Sequence, residues 1–194
     1  MLLEDITKIT LGVVLKRKEA KYSSKNTYAY QVFNLKNYEE NIEYDVFYSE
    51  ENLENFVAQK GDLLFRLALP LKIIKVDDKI QGKLINNQYC IIKICNQYKQ
   101  IYNIDFIKWF LESTHAKHQL EKIVIGTTIK TVPVAKLRQM RIPDLNSREQ
   151  ERISQIVNIW SKEKALYNKL INEKEKYYNS IIAKVINGGN KENE

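Results

Sequence analysis

Three short groups of side chains in this sequence have the spacing of chemistry-bearing motifs. His115 and His118 stand three residues apart, close to Glu112 and Glu121. On a helix that spacing can present two imidazoles to a zinc ion. A third ligand and an apolar surround are missing from the pattern, so solvated histidines near a helix end explain them better. Asp77-Asp78-Lys79 matches the D-x-K fragment of metal-dependent nucleases. Three residues match such a fragment readily, and aspartates favour turns for reasons of their own. Cys90 and Cys95 lie five residues apart in an apolar segment. On a strand that odd separation points them to opposite faces, and the chain has no other cysteine to complete a metal site. Buried free thiols are the simplest reading. The prolines Pro70, Pro133 and Pro143 are never adjacent. The chain therefore lacks the N/D-P-P-Y/F loop with which an adenine methyltransferase holds its target amine. It also lacks a glycine-rich phosphate loop, so ATP binding finds no support. These readings point to a chain that is not an enzyme and holds no metal or cofactor of its own.

Binding is a better prospect. The net charge is +7 over 194 residues, and it is placed unevenly. Residues 1–57 carry seven basic and ten acidic side chains, whereas residues 58–146 carry fifteen and seven. Such a local surplus attracts polyanions and releases counterions when it meets phosphate. Base edges are read by Arg, Lys, Asn and Gln, whose side chains match the groove pattern of donors and acceptors. Candidates on expected loops are Lys25, Asn26, Arg66, Asn86, Asn87, Gln88 and Lys130. Thr127 and Thr128 follow Gly126, where amides and hydroxyls suit phosphate. Any one of these is equally an ordinary solvated loop residue. Arg66 stands out because it interrupts the apolar run of residues 62–69, and a guanidinium there either snorkels out or meets a partner. Tyr22, Tyr28 and Tyr30 have faces on which sugar or base can stack, although sheet packing accounts for them too.

The elements that must position these residues are mostly strands. Residues 27–35, 62–69, 72–76 and 89–94 are short, apolar and β-prone, with turn signals at Asp77-Asp78 and Asn86-Asn87. They predict a mixed, twisted sheet in an α+β domain of residues 1–146. One helix is expected from Ile104 to about Gln119, with Asn103 as N-cap and Asp105 in the first turn. Residues 123–130 and 132–142 read as further extended segments, ended by Pro143.

From Ser147 the pattern changes. No Gly or Pro follows until Gly188, and Ser147 with Gln150 fits a capping box. Ile153, Ile156, Trp160, Tyr167, Leu170, Tyr177 and Ile181 fall at steps of three and four, with Glu163 and Lys174 as polar breaks. Val157, Ile171, Tyr178 and Val185 widen the stripe. A helix over residues 147–187 is about 60 Å long, more than twice the size of a domain whose radius of gyration is about 15 Å. A stripe that long needs a partner helix, so a coiled-coil homodimer through this segment is expected. Residues 188–194 are expected to form a disordered tail. No apolar run approaches the ~18 residues of a membrane span. Glu4 and Asp5 stand where a signal peptide would be basic, so the expected location is the cytoplasm.

The order of these features resembles a known family. Lys60-Gly61-Asp62-Leu63-Leu64-Phe65, Gly126-Thr127-Thr128, Leu137 to Ile142-Pro143, and Glu149-Gln150-Glu151-Arg152-Ile153 before a long helix are similar to specificity subunits of Type I restriction-modification systems. The likeness is best from Lys60 to Ile186 and weak over residues 1–59. Subunits of that family carry two target-recognition domains and two long helices, whereas this chain has one of each and looks like half a subunit. The resemblance implies a non-catalytic protein that binds double-stranded DNA. It also implies adenine methyltransferase subunits as partners, which use S-adenosylmethionine, and a restriction subunit. A symmetric pair of half-subunits would read a palindromic, bipartite target. The alternative is a coiled-coil adaptor or regulatory decoy that reads no bases.

Overall fold

The computed structural model describes residues 1–20, 27–126 and 130–189. Contacts divide the chain into Met1–Glu151 and Arg152–Glu194. In the first unit the chain runs α1 (Leu3–Ile6), β1 (Thr7–Leu11), β2 (Tyr28–Gln31), α2 (Leu35–Glu40), β3 (Val46–Ser49), β4 (Leu63–Arg66), β5 (Ile73–Lys75) and β6 (Tyr89–Ile94). Three helices follow, α3 (Ile104–Glu112), α4 (Thr114–Glu121) and α5 (Val134–Arg138), and then α6 (Ser147–Gly189) begins.

Four strands form one sheet in the order β1-β6-β4-β5, and β2 pairs with β3 in a separate ribbon. All named strands pair antiparallel. Among the described residues parallel pairing is confined to the isolated bridges Val13 to Asn86 and Val32 to Leu84. The sheet is therefore antiparallel where the sequence predicts a mixed one, because each parallel contact stops after a single bridge. The fold class is α+β, as expected. β6 lies inside the sheet, and its run Tyr89-Cys90-Ile91-Ile92 is wholly buried. A strand covered on both faces reads as a continuous apolar run, which is how it reads in the sequence. Leu64, Ile74, Ile91 and Tyr89 pack with Phe33, Ala58, Ile80 and Ile85 in one cluster. Val13, Tyr30, Phe47, Leu53, Val57 and Leu84 form a second beneath the β2–β3 ribbon. Burial pushes the Cys90 thiol up to about 12, so it is an inert core side chain.

Several local expectations need correction. The single helix from Ile104 breaks at Ser113, which has extended backbone and starts α4. Its hydroxyl donates to the Phe110 carbonyl at 2.6 Å and accepts from the Ala116 amide at 3.2 Å, closing one helix and capping the next. Residues 132–142 are not a strand. Pro133 precedes α5, whose Leu137 is buried together with Met140 at helical spacing. Of the segment 123–130, Ile125 forms an isolated bridge with Thr131, and residues 127–129 lie outside the described residues. The N-terminus pairs with the far end of the unit, where Leu3 N–H donates to Met140 and Ile142 N–H to Met1.

The cap of α6 is also shifted by one residue. Asn146 and Glu149 form the box reciprocally, each side chain accepting from the other's amide at 3.0 Å. Asn is as good an N-cap as Ser, and Glu149 completes the motif. Gln150 is thereby free for another role. It is fully buried, and its amide nitrogen donates to the carbonyls of Ile101 at 3.2 Å and Leu145 at 2.8 Å. Its oxygen accepts from the Asn103 amide at 3.1 Å, at the N-cap of α3. The Glu-Gln pair of the sequence is thus one cap and one clamp. The helix itself continues through Gly188 and Gly189 into the expected tail, while residues 190–194 lie outside the described residues.

Replacing Gln150 with Leu keeps the volume and orphans the Asn103 amide and the Leu145 carbonyl. We expect a loss of about 2–4 kcal/mol in chemical denaturation. The Gln150→Glu variant, which keeps the acceptor, should lose less when assayed below the carboxyl pKa.

Candidate nucleic-acid interface

Three of the residues singled out for base reading, Arg66, Asn86 and Gln88, gather at one end of β6. In the β4–β6 ladder Arg66 stands opposite Tyr89. The turn that leads into β6 is built on Asn86, whose side-chain oxygen accepts from the Gln88 amide at 2.9 Å. Gln88 in turn offers its carbonyl to the Leu67 amide at 2.9 Å, one residue beyond Arg66. Arg66, Asn86 and Gln88 thus line a single open hollow of about 350 Å³. Phe33 and Tyr89, in edge-on ring contact at 5.3 Å, lie at the same hollow.

Its electrostatics favour an incoming acceptor. Among the described residues the Arg66 guanidinium makes no hydrogen bond or ion pair, and it is half-buried. Glu39 at the edge of the hollow is paired with Lys72. Burial raises the Tyr89 pKa, Arg66 opposes the rise, and Glu39 adds to it. The guanidinium keeps five donors in a rigid fork. The exposed Gln88 amide adds a donor and an acceptor side by side. Those are the groups that match guanine and adenine edges.

The other candidates are distributed as follows. Asn87 is exposed on the same turn, and its amide donates to Val13 at 3.0 Å. Lys130 is exposed, and its carbonyl accepts from Leu69, three residues beyond Arg66, at 3.0 Å. Lys25, Asn26, Thr127 and Thr128 lie outside the described residues, as does Tyr22. Tyr30 is buried and its hydroxyl accepts from Leu53 at 2.8 Å, so it is a packing residue. Tyr28 is exposed on β2. Sequence reasoning missed Asn34 and Lys36, which α2 brings to the hollow. The signal was present: Asn34 caps α2 by accepting from the Lys36 amide at 2.9 Å. It was hidden because residues 27–35 read as one strand.

The enzyme-like fragments resolve into structure. Asp77 accepts from the amides of Lys79 and Ile80 and from the Tyr38 hydroxyl at 3.0 Å. Asp78 pairs with Lys60 and Lys79 reaches Asn41, so the three side chains serve three different partners. His115 packs on Phe110. Among the described residues no three His, Cys, Asp or Glu side chains are gathered as a metal site.

In the second unit, every described side chain from Asn158 to Asn187 is exposed. Ile156, Trp160, Tyr167, Leu170, Tyr177 and Ile181 are open by 39–66%, and Ile153 is half-buried. Ile159, Leu166, Ile182 and Ile186 are further exposed apolar residues that the stripe did not include. No described helix is long and apolar enough to cross a membrane.

A sheet-based unit followed by one long amphipathic helix defines the fold, and solved structures share it. The S subunit of the Type I restriction-modification system from M. genitalium is 14% identical with a TM-score of 0.54, over 84% of this chain and 38% of that one. The HsdS subunit from Thermoanaerobacter tengcongensis is 16% identical with a TM-score of 0.59, over 91% and 45%. A chain from a study of complex assembly and conformational transition in the type I R-M system is 14% identical with a TM-score of 0.62, over 90% and 41%. This chain therefore shares its fold with Type I specificity subunits, and it spans less than half the length of the structures it matches. No protein-family model matches the sequence, and no curated protein is similar to it.

Gly12 holds the Asn86 turn in place. A Cβ there would lie 2.1 Å from the Asn86 carbonyl oxygen and 2.7 Å from that of Ile85. Both are backbone atoms, so the turn itself must move. Gly12→Ala should cost about 1–3 kcal/mol and shift the amide resonances of Asn86–Gln88. Gly82→Ala is the control. It meets nothing within 4 Å and is strained only by its φ of +79°. It should cost about 1–2 kcal/mol and leave those resonances unchanged.

Proposed function

We propose that this chain is a DNA-recognition subunit of half size, without catalytic activity of its own. The observation that carries the reading is the convergence of Arg66, Asn86 and Gln88 on one hollow, in a fold shared with Type I specificity subunits. Arg66 and Gln88 read base edges, and Lys130 supports the backbone contact beside them. Lys25, Asn26, Asn87, Thr127 and Thr128 complete the surface that meets the duplex. Two copies pair through Ile153, Ile156, Trp160, Tyr167, Leu170, Tyr177 and Ile181, whose spacing supports a two-helix seam. The pair reads a palindromic, bipartite target with an uncontacted gap. It positions adenine methyltransferase subunits, which supply S-adenosylmethionine and flip the target base. A restriction subunit joins the same assembly, and the complex works in the cytoplasm.

The exposed apolar faces of α6 also fit a second reading, an adaptor or regulatory decoy that recruits a partner and reads no bases. Salt separates the two. A DNA reader loses affinity steeply as salt rises, and an adaptor shows no such slope.

Arg66→Ala in a complex reconstituted with its methyltransferase should weaken discrimination at one position of each half-site by about 1–3 kcal/mol. A genome-wide map of modified adenines reads this directly, and an unchanged map removes Arg66 as a reader. Leu170→Glu should convert a dimer to a monomer in sedimentation while the circular dichroism of the sheet unit persists. A wild-type monomer at micromolar concentration would remove the homodimeric form of the model.

A further inference from the structure

An open groove lies at the other end of β6 from the Arg66 hollow. It has a volume of about 970 Å³ and is walled by Lys8, Lys60, Lys93 and Lys99, with Asp62 and Glu151 as its acidic members. Its wall includes a like-charge pair: Lys8 and Lys93 are direct partners in the antiparallel β1–β6 ladder. Side chains opposite each other in such a ladder share a face and stand close together, so two ammonium groups there repel. Lys93 is balanced by Asp62 at 3.1 Å, and that carboxylate is itself held by the Gln59 amide at 2.9 Å. Lys60 is balanced by Asp78 at 2.5 Å. Among the described residues the side chains of Lys8 and Lys99 have neither an ion pair nor a hydrogen bond. The side-chain amides of Asn96 and Gln100 line the same wall.

We propose that this groove binds a phosphate group carried on a nucleotide, either free or within a strand. Two uncommitted ammonium groups supply the charge that a phosphate needs, as compact donors that can turn to meet its oxygens. Binding relieves the repulsion across the ladder. The neighbouring amides offer donors and acceptors for a sugar or base. The groove is far larger than a bare phosphate requires, which is why the ligand carries more than the anion. This site is separate from the base-reading hollow and does not depend on that reading being right.

The test uses the full chain and three probes at matched ionic strength: inorganic phosphate, adenosine monophosphate and a short single-stranded oligonucleotide. A ligand that binds only the folded state raises the melting temperature. Adenosine monophosphate or the oligonucleotide should raise it above the chloride control. A response to the mononucleotide assigns a free nucleotide, and a response to the oligonucleotide alone assigns a strand. Lys8→Gln combined with Lys99→Gln should weaken that binding by about tenfold or more. Lys8→Gln alone should raise the melting temperature without ligand, since one of the opposed charges is gone. Lys99→Gln, remote from the ladder, provides a folded variant if the double change does not fold, and it should weaken binding by itself. Lys122→Gln, an exposed change outside the groove, should leave every response intact. The proposal is overturned if neither nucleotide probe responds, if inorganic phosphate alone responds, if the variants respond like the wild type, or if an acidic peptide such as poly-aspartate responds and the nucleotides do not.

Discussion

The pairing register between β4 and β6 is the constraint on which the Arg66 hollow depends. Side chains alternate between the faces of a strand, so a slip of one residue would exchange what each face presents. In the observed register Arg66 faces Tyr89, and Leu63, Leu64 and Phe65 face Ile92, Ile91 and Cys90. The core enforces this. Leu64 and Ile91 belong to the cluster that includes Phe33 and Ile74, and a shifted ladder would drive part of that cluster out. The same register leaves the carbonyl of Gln88 beside the amide of Leu67. Packing of a few aliphatic side chains thus decides that one guanidinium and one amide line the same hollow.

The same ladder explains why parts of the site were legible in the sequence and others were not. The strand from Tyr89 to Ile94 is a continuous apolar run bounded by Asn86-Asn87, and its signal is local. Arg66 stood out because it is a charge at the end of a similar run. The turn at Asn86 was visible for its chemistry, an Asx bond to Gln88. What the sequence hid is non-local. Gly12 serves the site only because Asn86 approaches it from 74 positions away. α2 contributes Asn34 and Lys36 only because the strand before it ends at Gln31 rather than at Leu35. Strand β1 escaped notice although Thr7, Lys8 and Ile9 alternate buried and exposed, because five residues between a helix and a turn carry little periodic signal.

The long helix shows the opposite balance. Its extent follows from pattern alone, since a 43-residue run of periodic apolar residues without an internal breaker has few alternatives. Its beginning does not. Ser147 and Gln150 satisfy a capping rule on paper, yet Asn146 and Glu149 satisfy the same rule one residue earlier. The choice falls to Gln150, because only a buried amide there can answer Ile101, Leu145 and Asn103 together. A tertiary demand therefore selects between two equally good local caps, and the first turn of the helix is held by the globular unit.

Net charge undergoes a similar sorting. The fifteen basic side chains of residues 58–146 suggest a broad positive field. In the folded unit Lys60, Lys72, Lys75, Lys93 and Lys108 are each paired with an acid. Pairs that are largely exposed contribute about 0–1 kcal/mol to stability, but they cancel much of the local potential. Arg66 remains uncommitted at one end of β6, and Lys8 with Lys99 at the other. A surface that attracts polyanions through its total charge can discriminate among them only through the cations left unpaired and held in place. Here β4 carries Arg66 at one end of the sheet, while β1 and the segment after β6 carry Lys8 and Lys99 at the other, so the uncommitted cations are held apart by the pairing of the strands.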